Sequence, residues 1–240
     1  MDTIEKGFGF NHFDVYHFSW IIFTFLVCCI TIYFFRKSNY TQRKKFFKVI
    51  SILLIIDELI KYLGTSLTDQ FVWQFLPLHL CSINIFVILS DVIKPSSFKR
   101  NLLYFLCLPG ALAAILMPNW IDLPFLNLMS LHSFTVHILL LLYPLLLLSD
   151  GFKPELKLMF KSLLFIISIC PFIYGINILL GTNFMYLMEA PIGTPLVLFE
   201  NFLGNPGFLI GYPILLLFVW SIMYLPFKSN DRQQLIDTNL

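Results

Sequence analysis

Within the apolar stretch Leu76-Pro77-Leu78-His79-Leu80-Cys81-Ser82-Ile83-Asn84, four residues stand out as able to do chemistry or to shape it. A proline, a histidine, a cysteine and an asparagine share nine residues there. A free thiol titrates at about 8.5, and burial among apolar groups raises that value, so an isolated Cys81 would be inert. A neighbouring imidazole could take the proton and make a thiolate, which could attack an ester carbonyl of a lipid. The histidine would then protonate the leaving alcohol. Asn84, Asn177 or Asn183 could donate to the oxyanion.

Positioning such groups needs a bilayer. Hydrophobic residues make up 58% of the 240 and charged residues only 12%, about half the ~25% usual in a soluble domain. Such a composition predicts an all-α, polytopic membrane protein. Seven spans are expected, at roughly 18–35, 49–67, 72–92, 102–117, 125–149, 163–180 and 208–227, flanked by a lead over 1–17 and a tail over 228–240. Lengths near twenty residues suit a hydrocarbon core of about 30 Å. No cleavable signal peptide is expected, because no basic n-region or small-residue cleavage site accompanies the first span.

Charge placement tests the count. Alternate connections hold 6, 3, 3 and 2 basic residues, which is 14 of the 16; Lys6 in the lead and Lys61 in span two are the others. The positive-inside rule then puts the amino terminus outside and the carboxyl terminus in the cytoplasm of a cell membrane. The 181–206 connection, read as the longest loop, holds no lysine or arginine. No internal repeat is evident, which argues against a secondary transporter.

Threading these spans puts His79 and Cys81 (span three), His132 and His137 (span five) and Asp57, Glu58 and Lys61 (span two) at similar depth, toward the outer leaflet. On a regular helix His79 and Cys81 point to nearly opposite sides, while Asn84, Ile88 and Asp91 follow Cys81. Ser130, Ser133 and His137 form one stripe, with His132 to its side. His137 is therefore the candidate base for Cys81, and His79, Asn84, His132, Asn177 and Asn183 are candidate substrate contacts.

The blander reading is that these polar groups satisfy one another and only specify packing. Asp57 or Glu58 can pair with Lys61 within its own helix, leaving the other acid to orient a histidine or relay a proton. His12, His17, Trp20, Trp73 and Trp120 read as interfacial. A metal site on His79, His132 and His137 lacks any HxxxH or HExxH pattern. The five cysteines form no CxxC pair, and no metal or cofactor is expected.

The segment through Cys81, followed by His137 seven residues before Pro144, resembles the YwaF-like bacterial integral membrane proteins, whose eukaryotic relatives include transmembrane protein 164. Asn177, then Gly181-Thr182-Asn183-Phe184-Met185-Tyr186-Leu187 and Pro191, is similar to that family's Asn-Tyr-x-x-Leu signature after span six. Phe184 stands where tyrosine is usual, so any role for that hydroxyl is absent. The resemblance covers nearly the whole chain. It implies a seven-span acyltransferase that moves fatty acyl chains between phospholipids, with Cys81 as nucleophile and His137 as base. The expected partner is a membrane lipid and not nucleic acid. The alternative is a non-catalytic protein that binds or transports lipid.

Overall fold

The computed structural model describes residues 9–124, 126–191 and 193–228, all helix, turn or irregular chain without a strand. Residues 1–8 of the lead, Phe125 at the expected start of span five, and residues 229–240 of the tail lie outside this description. Among the described residues, six helical segments are long and apolar enough to cross a membrane: Val15–Lys37, Trp73–Ile93, Ser97–Leu116, Leu128–Ser149, Leu156–Leu180 and Gly207–Phe227. A further long helix, Tyr40–Leu67, carries Asp57, Glu58 and Lys61. The chain divides into two units, 1–152 and 153–240.

In the first unit, α1 (Val15–Lys37) starts on Asp14, whose carboxylate accepts the His17 backbone N–H at 2.9 Å. The His17 and Asn11 amides hold that carboxyl below its ordinary value. The charged cap acts above the ordinary carboxylate range and is lost as pH falls through the lowered value. A two-residue turn, Ser38 and Asn39, leads into α2 (Tyr40–Leu67). Asn39 and Gln42 form a reciprocal capping box at 3.0 Å each way. The basic residues 43–48, expected in a loop, therefore lie on the first turns of α2. Good helix formers behind a strong cap extend the helix outward past the apolar span.

Span three is broken. A short 3₁₀ turn at Trp73–Phe75 precedes an extended segment, and α3 (Leu80–Ile93) begins only after His79. Beyond it α4 (Ser97–Leu102), a π-helical turn at Leu103–Cys107 and α5 (Leu108–Leu116) make one bent rod. Helix α6 (Leu128–Ser149) packs against α1, α2, α3 and α5. Its leucines are buried on most sides: Leu140, Leu141, Leu142, Leu146 and Leu147 meet Phe35, Leu54, Ile88, Leu103 and Ile115 in one core. The later half of α6, aliphatic on nearly every side, belongs at the centre of a bundle. Helix α1 instead turns Ile22, Phe25 and Ile30 outward, the surface expected against lipid.

His17, expected near the membrane interface, does not present its ring to the surroundings. It is fully buried, its Nδ1 accepting the Phe13 N–H at 2.8 Å and its Nε2–H donating to the Ile115 carbonyl at 2.8 Å. Two backbone partners of opposite sense repay its burial.

The second unit holds α7 (Leu156–Leu180), α8 (Leu196–Leu203) and α9 (Gly211–Tyr224). Helix α8 lies inside the expected 181–206 loop. Gly211 lets it pack on α9, because a Cβ there would stand 2.8 Å from the Phe199 ring. Helix α7 ends on Gly181 in the left-handed region. Met185 and Tyr186 also have positive φ, strained for residues with a side chain. The Tyr212 hydroxyl lies 3.1 and 2.9 Å from their carbonyls and braces that turn.

Buried Asn177 organises the same loop. Its Oδ1 accepts the Phe184 N–H at 2.7 Å and the Thr182 hydroxyl at 2.9 Å, and its Nδ2 donates to the Phe184 carbonyl at 3.0 Å. Asn177→Ala should destabilise this turn by roughly 1–3 kcal/mol, the cost of orphaned buried polar groups. Limited proteolysis should then cut residues 181–189 faster than in the wild type, and unchanged cutting would show the turn to be held elsewhere.

Candidate functional site

The arrangement around Cys81 begins with the break before α3. Pro77 has no N–H to give a helix, and it pushes Leu76 to an extended conformation. His79 is extended too and takes the N-cap position, with no side-chain bond to the helix amides. Cys81 is thus the second residue of α3, in the first turn rather than in mid-helix. The amides of such a turn lack intrahelical acceptors and carry the positive end of the helix dipole.

Cys81 faces His137 of α6. The Cys81 Sγ lies 3.1 Å from His137 Nε2. His137 Nδ1 lies 2.5 Å from the Ser133 carbonyl oxygen. A carbonyl only accepts, so Nδ1 carries the proton and Nε2 presents its lone pair to the thiol. Ser133 contributes this backbone carbonyl where a catalytic triad would use a carboxylate. Neither the carbonyl nor the helix start is marked by residue type; Pro77 alone hinted at the second.

The other candidates occupy varied places. His79 Nε2 lies 2.8 Å from Gln74 Nε2, so the glutamine amide donates to the ring. Gln74 had no distinguishing signal beyond its polarity. His79 also stands within electrostatic reach of Lys61 and His137. Asn84 is buried one turn after Cys81. Further along, Asp91 accepts the Tyr143 hydroxyl at 3.1 Å and lies 3.5 Å from Arg100 Nε, tying together the far end of the bundle.

His132 belongs to a polar cluster between α6 and α2. Its Nδ1 is 2.8 Å from Asp57 Oδ2, at ion-pair distance though not aligned as a hydrogen bond. Its Nε2 is 3.7 Å from Glu58 Oε2. Lys61 pairs with Glu58 within α2, and Thr135 donates to Asp57 Oδ1 at 2.9 Å. Thr135 carried no signal in the sequence.

Asn177 and Asn183 belong to the second unit, where both amides serve the loop fold. Asn183 Oδ1 accepts the Met188 N–H at 3.0 Å and Nδ2 donates to the Glu189 carbonyl at 3.2 Å. Among the described residues, no group of three or more His, Cys, Asp or Glu side chains is arranged to hold a metal ion.

Apolar helices of spanning length, with polar side chains gathered among them, define a multi-pass membrane protein. Within that class the assignment is specific: residues 8–224 match the model of the TMEM164 family, and the chain belongs to that family. Comparison with curated proteins and with solved structures returns no match to either.

Proposed function

We propose that this chain is a cysteine-dependent lipid acyltransferase or hydrolase of the cell membrane. The carrying observation is the contact between the Cys81 thiol and the free lone pair of His137, with the His137 tautomer held by a backbone carbonyl. Membership of the TMEM164 family supports the reading through the activity its eukaryotic relative implies. In this reading α2 holds span two and completes a set of seven, the charge alternation orients the amino terminus outside, and Cys81 at the head of α3 opens toward the outer leaflet.

The chemistry balances on these two side chains. His137 Nε2 takes the thiol proton as the sulfur bonds to the carbonyl carbon of a lipid ester. The first-turn amides of α3 and the side chain of Asn84 are the donors available to the oxyanion. The ester C–O bond breaks, His137 returns the proton to the departing alcohol, and the acyl chain remains on Cys81 as a thioester. A second lipid hydroxyl, or water, gives its proton to His137 and attacks the thioester. The C–S bond breaks and the thiol recovers its proton.

Incubating native membranes with a phospholipid carrying an alkyne-tagged acyl chain should tag Cys81 through a hydroxylamine-sensitive bond. The tag should be absent in Cys81→Ala. Lipid binding that is equal in wild type and Cys81→Ser, with no thioester in either, would replace this reading with a lipid-binding or transport protein.

A further inference from the structure

Helix α6 must present His137 at a fixed rotation, yet its own surface resists rotation poorly. From Ile138 to Leu142 and again from Leu145 to Leu148 it offers aliphatic groups nearly all round, interrupted by Tyr143 and Pro144. Between spans such surfaces slide on one another, and polar contacts set the register. Far along the helix, Tyr143 bonds to Asp91; at its start, the Ser130 hydroxyl reaches the Trp120 carbonyl at 3.4 Å. Near His137 the polar contacts on α6 from neighbouring elements come from Cys107, whose thiol donates to the Leu140 carbonyl at 3.3 Å, and from Asp57 and Glu58 of α2.

Asp57 meets α6 through both oxygens, one in a hydrogen bond and the other at ion-pair distance without hydrogen-bond alignment. Oδ1 accepts the Thr135 hydroxyl at 2.9 Å, and Oδ2 lies 2.8 Å from His132 Nδ1. The Thr135 hydroxyl also lies 2.8 Å from the Leu131 carbonyl, but a carboxylate is the stronger acceptor for its single proton. His132 and Thr135 straddle Ser133, the residue whose carbonyl holds His137 Nδ1–H. A side chain about 5–6 Å from a helix axis moves by about 1 Å when the helix turns by about 10°. Misplacement of that size can cost on the order of a hundredfold in rate.

We propose that Asp57 is a positioning residue: through Thr135 and His132 it fixes the rotation of α6 that aims His137 Nε2 at the Cys81 sulfur. This rests on reading Cys81 and His137 as the reactive pair, and it assigns the carboxylate to the turn beneath the base rather than to the base itself. Glu58, already paired with Lys61, meets α6 at His132 Nε2, 3.7 Å away, and not at Thr135.

The test reads thiol reactivity and not lipid turnover. Native membranes are treated near neutral pH with a small membrane-permeant maleimide, and alkylation of each cysteine is followed by mass spectrometry. The variants are wild type, His137→Ala, Asp57→Ala, Thr135→Val and Thr135→Ser. Cys28, buried in the same core, reports whether the fold persists. Asp57→Ala and Thr135→Val should slow Cys81 alkylation roughly tenfold or more. Thr135→Ser should keep the wild-type rate, with Cys28 protected throughout. Wild-type rates in both Asp57→Ala and Thr135→Val, beside a slow His137→Ala, would overturn the role of Asp57 and leave the reactive pair standing. A fast His137→Ala would overturn the pair, and the proposal with it. If Asp57→Ala also exposes Cys28, the comparison of Thr135→Val with Thr135→Ser decides, and equal rates overturn the proposal.

Discussion

Replacing His137 by alanine should lower acyl transfer by roughly 10²–10⁴-fold, the usual contribution of a positioned acid and base. The loss should fall on turnover, while lipid binding persists. The reason lies in the wiring of the ring. With Nδ1–H committed to the Ser133 carbonyl, Nε2 is the acceptor for the Cys81 proton, 3.1 Å away. Among the described residues, His79 is bonded to Gln74 and His132 faces the acids of α2. A paired control sharpens the result. Ser133→Ala keeps the backbone carbonyl and should leave the rate within about twofold, because the hydroxyl has no part in holding the tautomer. Steady-state transfer with a tagged phospholipid donor measures both. A loss in Ser133→Ala as deep as in His137→Ala would mean that the hydroxyl, and not the carbonyl, serves the base.

Lys61→Met should be the most destabilising single change in the polar cluster. The Lys61 and Glu58 side chains are 6% and 11% exposed and are paired directly, so removing the ammonium leaves a buried carboxylate with His132, at 3.7 Å, and the neighbouring Tyr62 hydroxyl as partial compensation. Breaking a buried pair from one side costs about 3–5 kcal/mol, whereas removing both partners is often close to neutral. The double variant Glu58→Gln with Lys61→Met should therefore recover most of the loss. Thermal unfolding in a mild detergent, followed for wild type, the single variant and the double variant, checks both statements. A double variant no more stable than Lys61→Met would show that the ammonium matters for something other than balancing Glu58.

The extent to which this architecture can be read from the chain differs from feature to feature. Helical class and most span positions follow from apolar runs, which the fold leaves intact. Six segments have spanning composition where the charge alternation expects seven; Asp57, Glu58 and Lys61 are what set α2 apart. Local competition explains the shifts. A capping box at Asn39 carries α2 through the basic residues, and Pro77 breaks the third segment before Cys81. The angular reasoning that pairs Cys81 with His137 needs no continuous helix before residue 80, and the structure brings those two side chains together. It could not foresee the carbonyl of Ser133, since every residue has one. Nor could it foresee that Thr135, an ordinary residue by type, would meet Asp57, because that contact depends on how two helices rotate against each other. Asn177 and Asn183 look like spare donors in sequence, but their amides are used to shape a turn.

Helix α6 is enclosed by α1, α2, α3 and α5, and all four precede it in the chain. During synthesis from the amino terminus, the walls of its berth leave the ribosome before the helix that fills it. The first unit ends at Phe152, three residues beyond the last residue of α6. Arrival of α6 therefore completes the unit's contacts and brings His137 to Cys81 in the same event. Until then Cys81 lacks its contact with the imidazole, and a nascent chain stalled short of residue 137 holds the thiol without it.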